Sequence, residues 1–278
     1  MSVPNIDART VEGFGNEWTA FDQMDLDPVE QKRLFSDYFS IFPFEDLPEG
    51  SEGFDLGCGS GRWAELVIER VGKLHCIDPS EGALGVTRRR LEHNRQCEFH
   101  LADAENIPLD DCSQDFGICL GVLHHIPDTE SAMRGCVRKL NPGAPLLLYL
   151  YYSFDNRPWW FRTIWRASDL LRRAICRLPY PVRKAVTNIL AGLVYFPLAR
   201  LALGLERLGV RVDNLPLSTY RECSFYTMRT DALDRFGTRL EQRFSRSEIQ
   251  QMMERSGLRG IEFRDDVPFW VACGRRAD

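Results

Sequence analysis

Apolar residues follow two rhythms along this chain, and the change from one to the other divides it. Between residues 50 and 152 short apolar runs alternate with segments of helical spacing. "GFDLG" at 53–57, "KLHCID" at 73–78, "CEFHLAD" at 97–103, "DFGICLGVL" at 115–123 and "PLLLYLYY" at 145–152 read as strands. Helices are expected between them at 60–71, where Trp63, Leu66, Val67 and Arg70 share helical spacing, at 80–94 and at about 128–140. The last of these stops at Asn141-Pro142-Gly143. Strands this apolar, alternating with helices, predict an α/β domain whose parallel sheet is covered on both faces.

The alternation lapses at Asp155 and resumes near Ser245. There "SRSEIQQMMERSGL" is a helix with Ser245 or Ser247 as N-cap and Gly257 as its stop. "RGIEFRD" and "PFWVACG" follow with no helix between them, so the last strand is expected to pair antiparallel. This gives a helical lead-in over 1–49, an α/β core over 50–152 and 245–278, and an insertion over 153–244. The lead-in carries Leu34, Phe35, Tyr38, Phe39 and Phe42 at helical spacing, closed by Pro43 and Pro48.

The insertion has its own pattern. Phe161, Ile164, Ser168, Leu171, Ile175 and Leu178 recur as one helical face, with Arg162, Arg166, Arg173 and Arg177 on another. Pro197 is expected to end a middle helix, after which Leu198, Leu201, Leu205, Leu208 and Val212 repeat the spacing. The longest uncharged run, Ala185 to Ala199, contains that proline and reads as too short to span a bilayer.

Charge sharpens the division. From Arg157 to Arg211 eleven basic residues face two acids, Asp169 and Glu206, so this segment carries +9 within a chain of net charge −5. Cationic amphipathic helices of this kind suit the surface of an anionic membrane, while packing on the core or a homodimer interface would equally use the apolar face. The opening "MSVPNIDART" lacks the basic and apolar regions of a signal peptide, which points to the cytoplasm or its membrane face. Nine cysteines without a C-x-x-C pair suit a reducing interior, and no His/Cys spacing suggests a structural zinc site, so no metal is expected.

Candidate chemistry centres on "GFDLGCGSGRWAELV", residues 53–67. Read from Gly57, the loop is Asp55-x-Gly57-x-Gly59-x-Gly61. Read from Gly59 it satisfies the G-x-G-x-x-A dinucleotide fingerprint ending at Ala64. Both registers put a bare backbone turn between strand and helix, and both leave Asp78 about twenty residues on to accept from ribose hydroxyls. Asp55 favours the first register, because an acid beside the glycines repels a pyrophosphate and pairs with an ammonium group.

The motifs in order resemble the class I S-adenosylmethionine-dependent methyltransferases, most closely their small-molecule group. "DLGCGSG" resembles the first motif, "CID" the acidic second strand, "LADAENIPLDDCSQDFGICLGVLHHI" the next block, and "LNPGAPLLLYL" the fifth-strand motif, with Ala144 where a second glycine is usual. The resemblance implies a Rossmann-like seven-stranded, mostly parallel sheet with an antiparallel last strand. It also implies S-adenosyl-L-methionine as cofactor, held by Asp55, Gly57, Gly59, Gly61, Asp78, Pro79, Asp103, Ala104 and Leu120. The acceptor would be a small or lipid-linked molecule and not a nucleic acid, since no N/D-P-P-Y/F tetrapeptide stands at "GVLHHI".

His125 and His124, just after the fourth strand, are the candidates for a general base, while His75, His93 and His100 read as structural. Tyr151, Tyr152 and Trp159 could floor an acceptor pocket, and Trp18 and Phe21 could cover the cofactor. The polar stretch 220–244 reads as an acceptor-side loop carrying Tyr220, Tyr226, Arg229, Asp231 and Arg235. Two other readings compete: an NAD-dependent oxidoreductase using the Gly59 register, which would need a second βαβαβ half, and a non-catalytic cofactor-binding protein at a membrane.

Overall fold

The computed structural model describes residues 4–278. The chain divides into two compact units: one holds residues up to 19 with 33–153 and 240–278, the other 20–32 with 154–239. The lead-in is thus split between them.

In the first unit seven strands form one sheet: β1 (Glu52–Leu56), β2 (Lys73–Asp78), β3 (Cys97–Leu101), β4 (Phe116–Leu120), β5 (Pro145–Tyr149), β6 (Leu258–Phe263) and β7 (Val271–Arg276). Their order is β3-β2-β1-β4-β5-β7-β6, and β7 alone runs antiparallel, against both β5 and β6. The sequence anticipated all seven strands and the reversed one: the central strands carry nearly unbroken apolar runs, while the edge strands β3 and β6 are partly exposed and mixed.

Period-two alternation sends these runs to two cores. Leu146 and Leu148 of β5 face one side, with Leu56, Ile77, Met133 of α5 (Thr129–Lys139) and Ile249 of α10 (Arg246–Arg255). Leu147 faces the other, with Leu74, Ile118, Leu84 of α4 (Glu81–Leu91) and Phe35 and Phe39 of α2 (Pro28–Phe39). The α10 N-cap is Ser245, in a full capping box with Glu248. The helix expected at 60–71 is much shorter: only α3 (Ala64–Val67) is α-helical, since three left-handed glycines precede it. The lead-in also contributes α1 (Ala8–Ala20).

The second unit is built on α6 (Trp159–Ile175), α7 (Tyr180–Leu190), α8 (Phe196–Arg207) and α9 (Phe225–Gly237). Its core gathers Ile175, Ala191, Tyr195, Ala199, Met228, Ala232 and Phe236. Three expectations change here.

First, Pro197 does not end the middle helix. The π-helical turns Ala191–Tyr195 absorb the missing N–H and the ring, so Tyr180–Arg207 runs unbroken for 28 residues. Among the described residues it is the one helix long and apolar enough to cross a membrane, which corrects the shorter span inferred from the uncharged run. Second, residues 225–237 form a helix and not a loop. Ser224 caps it, and Glu30 holds the cap by accepting from the Ser224 N–H at 3.0 Å and the Thr227 hydroxyl at 2.8 Å.

Third, the face predicted for α6 is divided. Ile175 turns inward, while Ile164 and Leu171 are 51 % and 47 % exposed. What α6 buries instead is an ion pair. Asp169 and Arg172 meet at 2.7 Å, and the Arg172 guanidinium also donates to the Thr238 carbonyl at 2.8 Å. Removing one member of such a pair strands the other's charge, at a cost of about 3–5 kcal/mol. Asp169→Ala is therefore expected to lower the urea-unfolding free energy by about that amount, and the apolar double variant Asp169→Leu with Arg172→Met to recover most of it.

Candidate cofactor site

The site begins with a constraint on the backbone after β1. Gly57 and Gly59 have φ of +76° and +57°, a region costly for any residue with a Cβ. Space excludes one as well: a Cβ on Gly57 would lie 2.2 Å from Val122, and one on Gly59 about 3.0 Å from the Trp18 indole. The Gly57 and Cys58 N–H groups donate to the Ile77 carbonyl at 2.7 and 3.2 Å, folding the turn onto the end of β2. Asp78 completes the fastening. One carboxylate oxygen accepts from Gly59 N–H at 3.0 Å and the other from Ser80 N–H at 2.8 Å.

A cavity opens over the carboxyl ends of β1, β2, β3 and β4, where open α/β sheets place their ligands. Gly57, Asp78, Pro79, Asp103, Ala104 and Leu120 line it, as does His125. Asp55, Gly59 and Gly61 do not. They shape the turn beneath it.

The N-terminal segment supplies a wall that sequence reasoning largely missed: Asn5, Asp7, Thr10, Val11 and Phe14 join Trp18 there. Gly15 makes this docking close, since a Cβ there would fall 2.4 Å from Ser80 Oγ. Asp7 accepts from Thr10 N–H at 2.7 Å and so starts α1, and Asn5 exchanges two hydrogen bonds with the Asp128 backbone. The legible signal is Asp7 three residues before Thr10, the spacing of a helix N-cap.

Electrostatically the site is dominated by two buried acids. Burial raises Asp55 to about 7, with the neighbouring Asp78 charge adding to the rise. Burial raises Asp78 to about 6, held back by its bonds from Ser80 and Gly59. Such a pair welcomes positive charge and disfavours an anion beside it.

The two histidines separate in role. His125 Nδ1 lies 2.7 Å from the Leu240 carbonyl, which can only accept, so Nδ1 carries the hydrogen and Nε2 the lone pair. Phe14 packs 4.9 Å from its ring. His124 is fully buried and does not line the cavity. Burial, with His125 and Arg243 nearby, pushes it well below the ordinary histidine range, and its Nδ1 accepts from Tyr151 N–H at 3.4 Å. It holds the turn. Gln242 ties the same turn down, donating from its backbone to the His124 carbonyl at 3.0 Å and from its side chain to the Ile126 carbonyl at 2.7 Å.

None of the remaining candidates is among the described residues that line this cavity. Tyr151 stacks on His124 at 3.9 Å and Tyr152 packs on Phe269 at 5.5 Å, both in the first unit. The others belong to the second unit. Trp159 is 72 % exposed. The Tyr226 hydroxyl accepts from Gln23 N–H at 3.0 Å, and its ring meets Phe21 edge-on. Arg229 donates to Asn188 Oδ1 at 3.0 Å, Arg235 approaches Asp169 at 3.9 Å, and Tyr220 sits beside Asp231, which with burial raises its pKa.

Residues 54–148 match the family model described as a methyltransferase domain. Ubiquinone biosynthesis O-methyltransferase of Azoarcus sp. (strain BH72) is 35 % identical over 110 residues, 39 % of this chain and 46 % of that protein. Its counterpart in Aromatoleum aromaticum is 32 % identical over 110 residues, 39 % and 45 % of the two chains. This chain thus spans somewhat under half the length of the curated relatives it matches.

Among solved structures, a chain of the complex between the Haloferax volcanii Trm112 activator and its methyltransferase superposes with a TM-score of 0.53 at 14 % identity, both chains covered in full. Haemonchus contortus phosphoethanolamine N-methyltransferase 2 gives 0.50 at 14 %, over 93 % of this chain and 44 % of that one. Both likenesses concern the fold.

The acids carry a pH consequence. A carboxyl whose folded pKa is raised contributes stability below its unfolded pKa of about 4 and loses it as pH rises through the folded value. The unliganded protein should therefore lose stability between about pH 4 and 7 through Asp55 and Asp78. Asp55→Asn should gain on the parent across that interval, read as the difference in denaturation midpoint at the two pH values.

Proposed function

We propose that this chain, whose residues 54–148 match the methyltransferase-domain model, is a class I S-adenosylmethionine-dependent methyltransferase that methylates a small-molecule or lipid-linked acceptor. The observation that carries this reading is the buried pair Asp55 and Asp78 around a left-handed glycine turn. It fits a ligand with a cationic amino-acid end and a ribose, and it opposes a pyrophosphate. The second unit is helical among the described residues and supplies no second βαβαβ half, so the oxidoreductase reading loses its support.

When bound, the cofactor supplies an electrophilic methyl group on a sulfonium. The protein's part is alignment and exclusion of water, worth about 7–11 kcal/mol when geometry is right. Gly57 would hold the amino-acid end with the Asp55 charge behind the turn, Asp78 the ribose, and Asp103, Ala104 and Leu120 the adenine side. The Asp78 oxygens each spend one lone pair on the turn and keep another for a hydroxyl. His125, its tautomer fixed by Leu240, takes the proton of an acceptor hydroxyl at Nε2. Tyr151 and Tyr152, in the same unit as the cavity, are proposed on the acceptor side.

The acceptor is read as apolar for two reasons. The similar curated proteins act in ubiquinone biosynthesis. The basic stretch 157–211 also exposes Trp159, Ile164, Leu170, Ile189 and Leu193 between its arginines. This combination suits docking on an anionic leaflet from the cytoplasmic side. The 28-residue helix is read as lying at that surface and not across it. Its Ala191, Ala199 and Ala202 are fully buried in the unit's own core, and Arg200 donates to the Arg221 and Cys223 carbonyls.

Calorimetry should find that S-adenosylmethionine binds in preference to NAD, and that Asp78→Ala weakens binding by roughly 1.5–3 kcal/mol, about ten- to a hundred-fold. Preference for NAD would overturn the reading. In flotation assays, vesicles rich in phosphatidylglycerol should carry the protein at low salt. Gln at Arg162, Arg166, Arg173 and Arg177 should release it, and no flotation at low salt would sink the membrane assignment.

A further inference from the structure

Away from the cavity, β2 and the edge strand β3 bring together three side chains that the proposed reaction does not use. The parallel register pairs His75 with Glu98 and Ile77 with His100, so alternation sets His75, Glu98 and His100 on one face of the sheet. Asp78, three residues after His75, points to the opposite face by the same rule.

Their donor atoms converge. His75 Nδ1 lies 2.9 Å from His100 Nε2 and 3.4 Å from Glu98 Oε2, and His100 Nε2 lies 3.8 Å from that oxygen. Ligands about 2.0–2.2 Å from a tetrahedral metal stand roughly 3.3–3.5 Å from one another. The three atoms therefore already outline one face of such a tetrahedron.

The surroundings prepare them for the task. His75 Nε2 lies 2.7 Å from Glu52 Oε1, a carboxylate that accepts its hydrogen and leaves the Nδ1 lone pair directed at the cluster. This carboxylate–histidine pairing is how metal-bound imidazoles are commonly oriented. Lys73 holds Glu98 by its other oxygen, Oε1, at 2.9 Å, which leaves Oε2 facing the histidines. Glu52, Glu98 and Lys73 together carry one net negative charge beside two imidazoles. His75 is buried and Glu98 exposed, so the fourth position opens to water.

We propose that His75, Glu98 and His100 form a divalent-cation site of zinc type, with Glu52 and Lys73 as positioning residues. It would clamp the edge strand β3 to β2 and supply no catalytic group. In the metal-free protein the 2.9 Å contact is a hydrogen bond from His100 to His75, and the metal takes the place of that proton.

The test is Zn2+ titration of the full chain after chelator treatment, followed by calorimetry and thermal denaturation, with Co2+ absorption reporting coordination. One Zn2+ per chain is expected, with a rise in Tm and a four-coordinate Co2+ spectrum. His100→Asn, at a partly exposed position, should abolish the tight component. Glu52→Gln should weaken it by about 10–100-fold. Affinity for S-adenosylmethionine should be unchanged in both variants, which keeps this result distinct from the functional assignment. No stoichiometric Zn2+, or Zn2+ held equally by His100→Asn, would overturn the site.

Discussion

The Asp78 carboxylate is the fastening on which the cofactor end of the sheet depends. It ends β2, accepts from Gly59 in the turn after β1, and accepts from Ser80 at the start of α4. A strand, the helix that follows it and a turn 19 residues upstream are thereby set by one buried acid. The arrangement is costly in the absence of a ligand, because burial favours the protonated form while the turn's N–H groups favour the charged one. A second acid, Asp55, lies close enough to raise the cost further. A positively charged ligand relieves both, so the strain of the empty site and its selectivity have the same origin.

The glycines follow from that fastening. The turn must pass close to Val122 and Trp18 with a left-handed backbone, and side chains at 57 and 59 would prevent it. The N-terminal segment then closes against the same turn, through Trp18 over Gly59 and Gly15 over Ser80. Here close packing sets the shape of the cavity wall.

The α/β core was legible in the sequence because its central strands are buried on both faces and its main helices start on a recognisable residue. Ser80, Asp128 and Ser245 all serve as N-caps through their side chains. The site was legible where motifs fix it, at Gly57, Asp78, Asp103, Ala104 and Leu120. The wall from Asn5 to Phe14 was not, since it is made by docking of a segment whose own pattern says only that it is helical. Likewise, nothing local distinguishes His124 from His125. Their roles separate because Leu240, 115 residues away from His125, returns a carbonyl to one ring and not the other.

The helical unit misled pattern reading for a physical reason. Periodicity assigns apolar residues to the inside, yet α6 buries Asp169 with Arg172 and exposes Ile164, Leu170 and Leu171. The long helix behaves similarly, burying alanines at 191, 199 and 202 while Ile189, Leu193 and Leu201 face outward. Small residues let helices approach closely, so alanines and a buried ion pair join Ile175, Tyr195, Met228 and Phe236 inside, and other large side chains are left at the surface. Single exposed leucines are ordinary in soluble proteins, but this many among arginines on adjacent turns are not. The proposed membrane docking therefore rests on this inversion more than on the net charge of the segment. A water-facing unit would gain by exchanging those outward side chains for polar ones, and its buried ion pair would need no change to permit it.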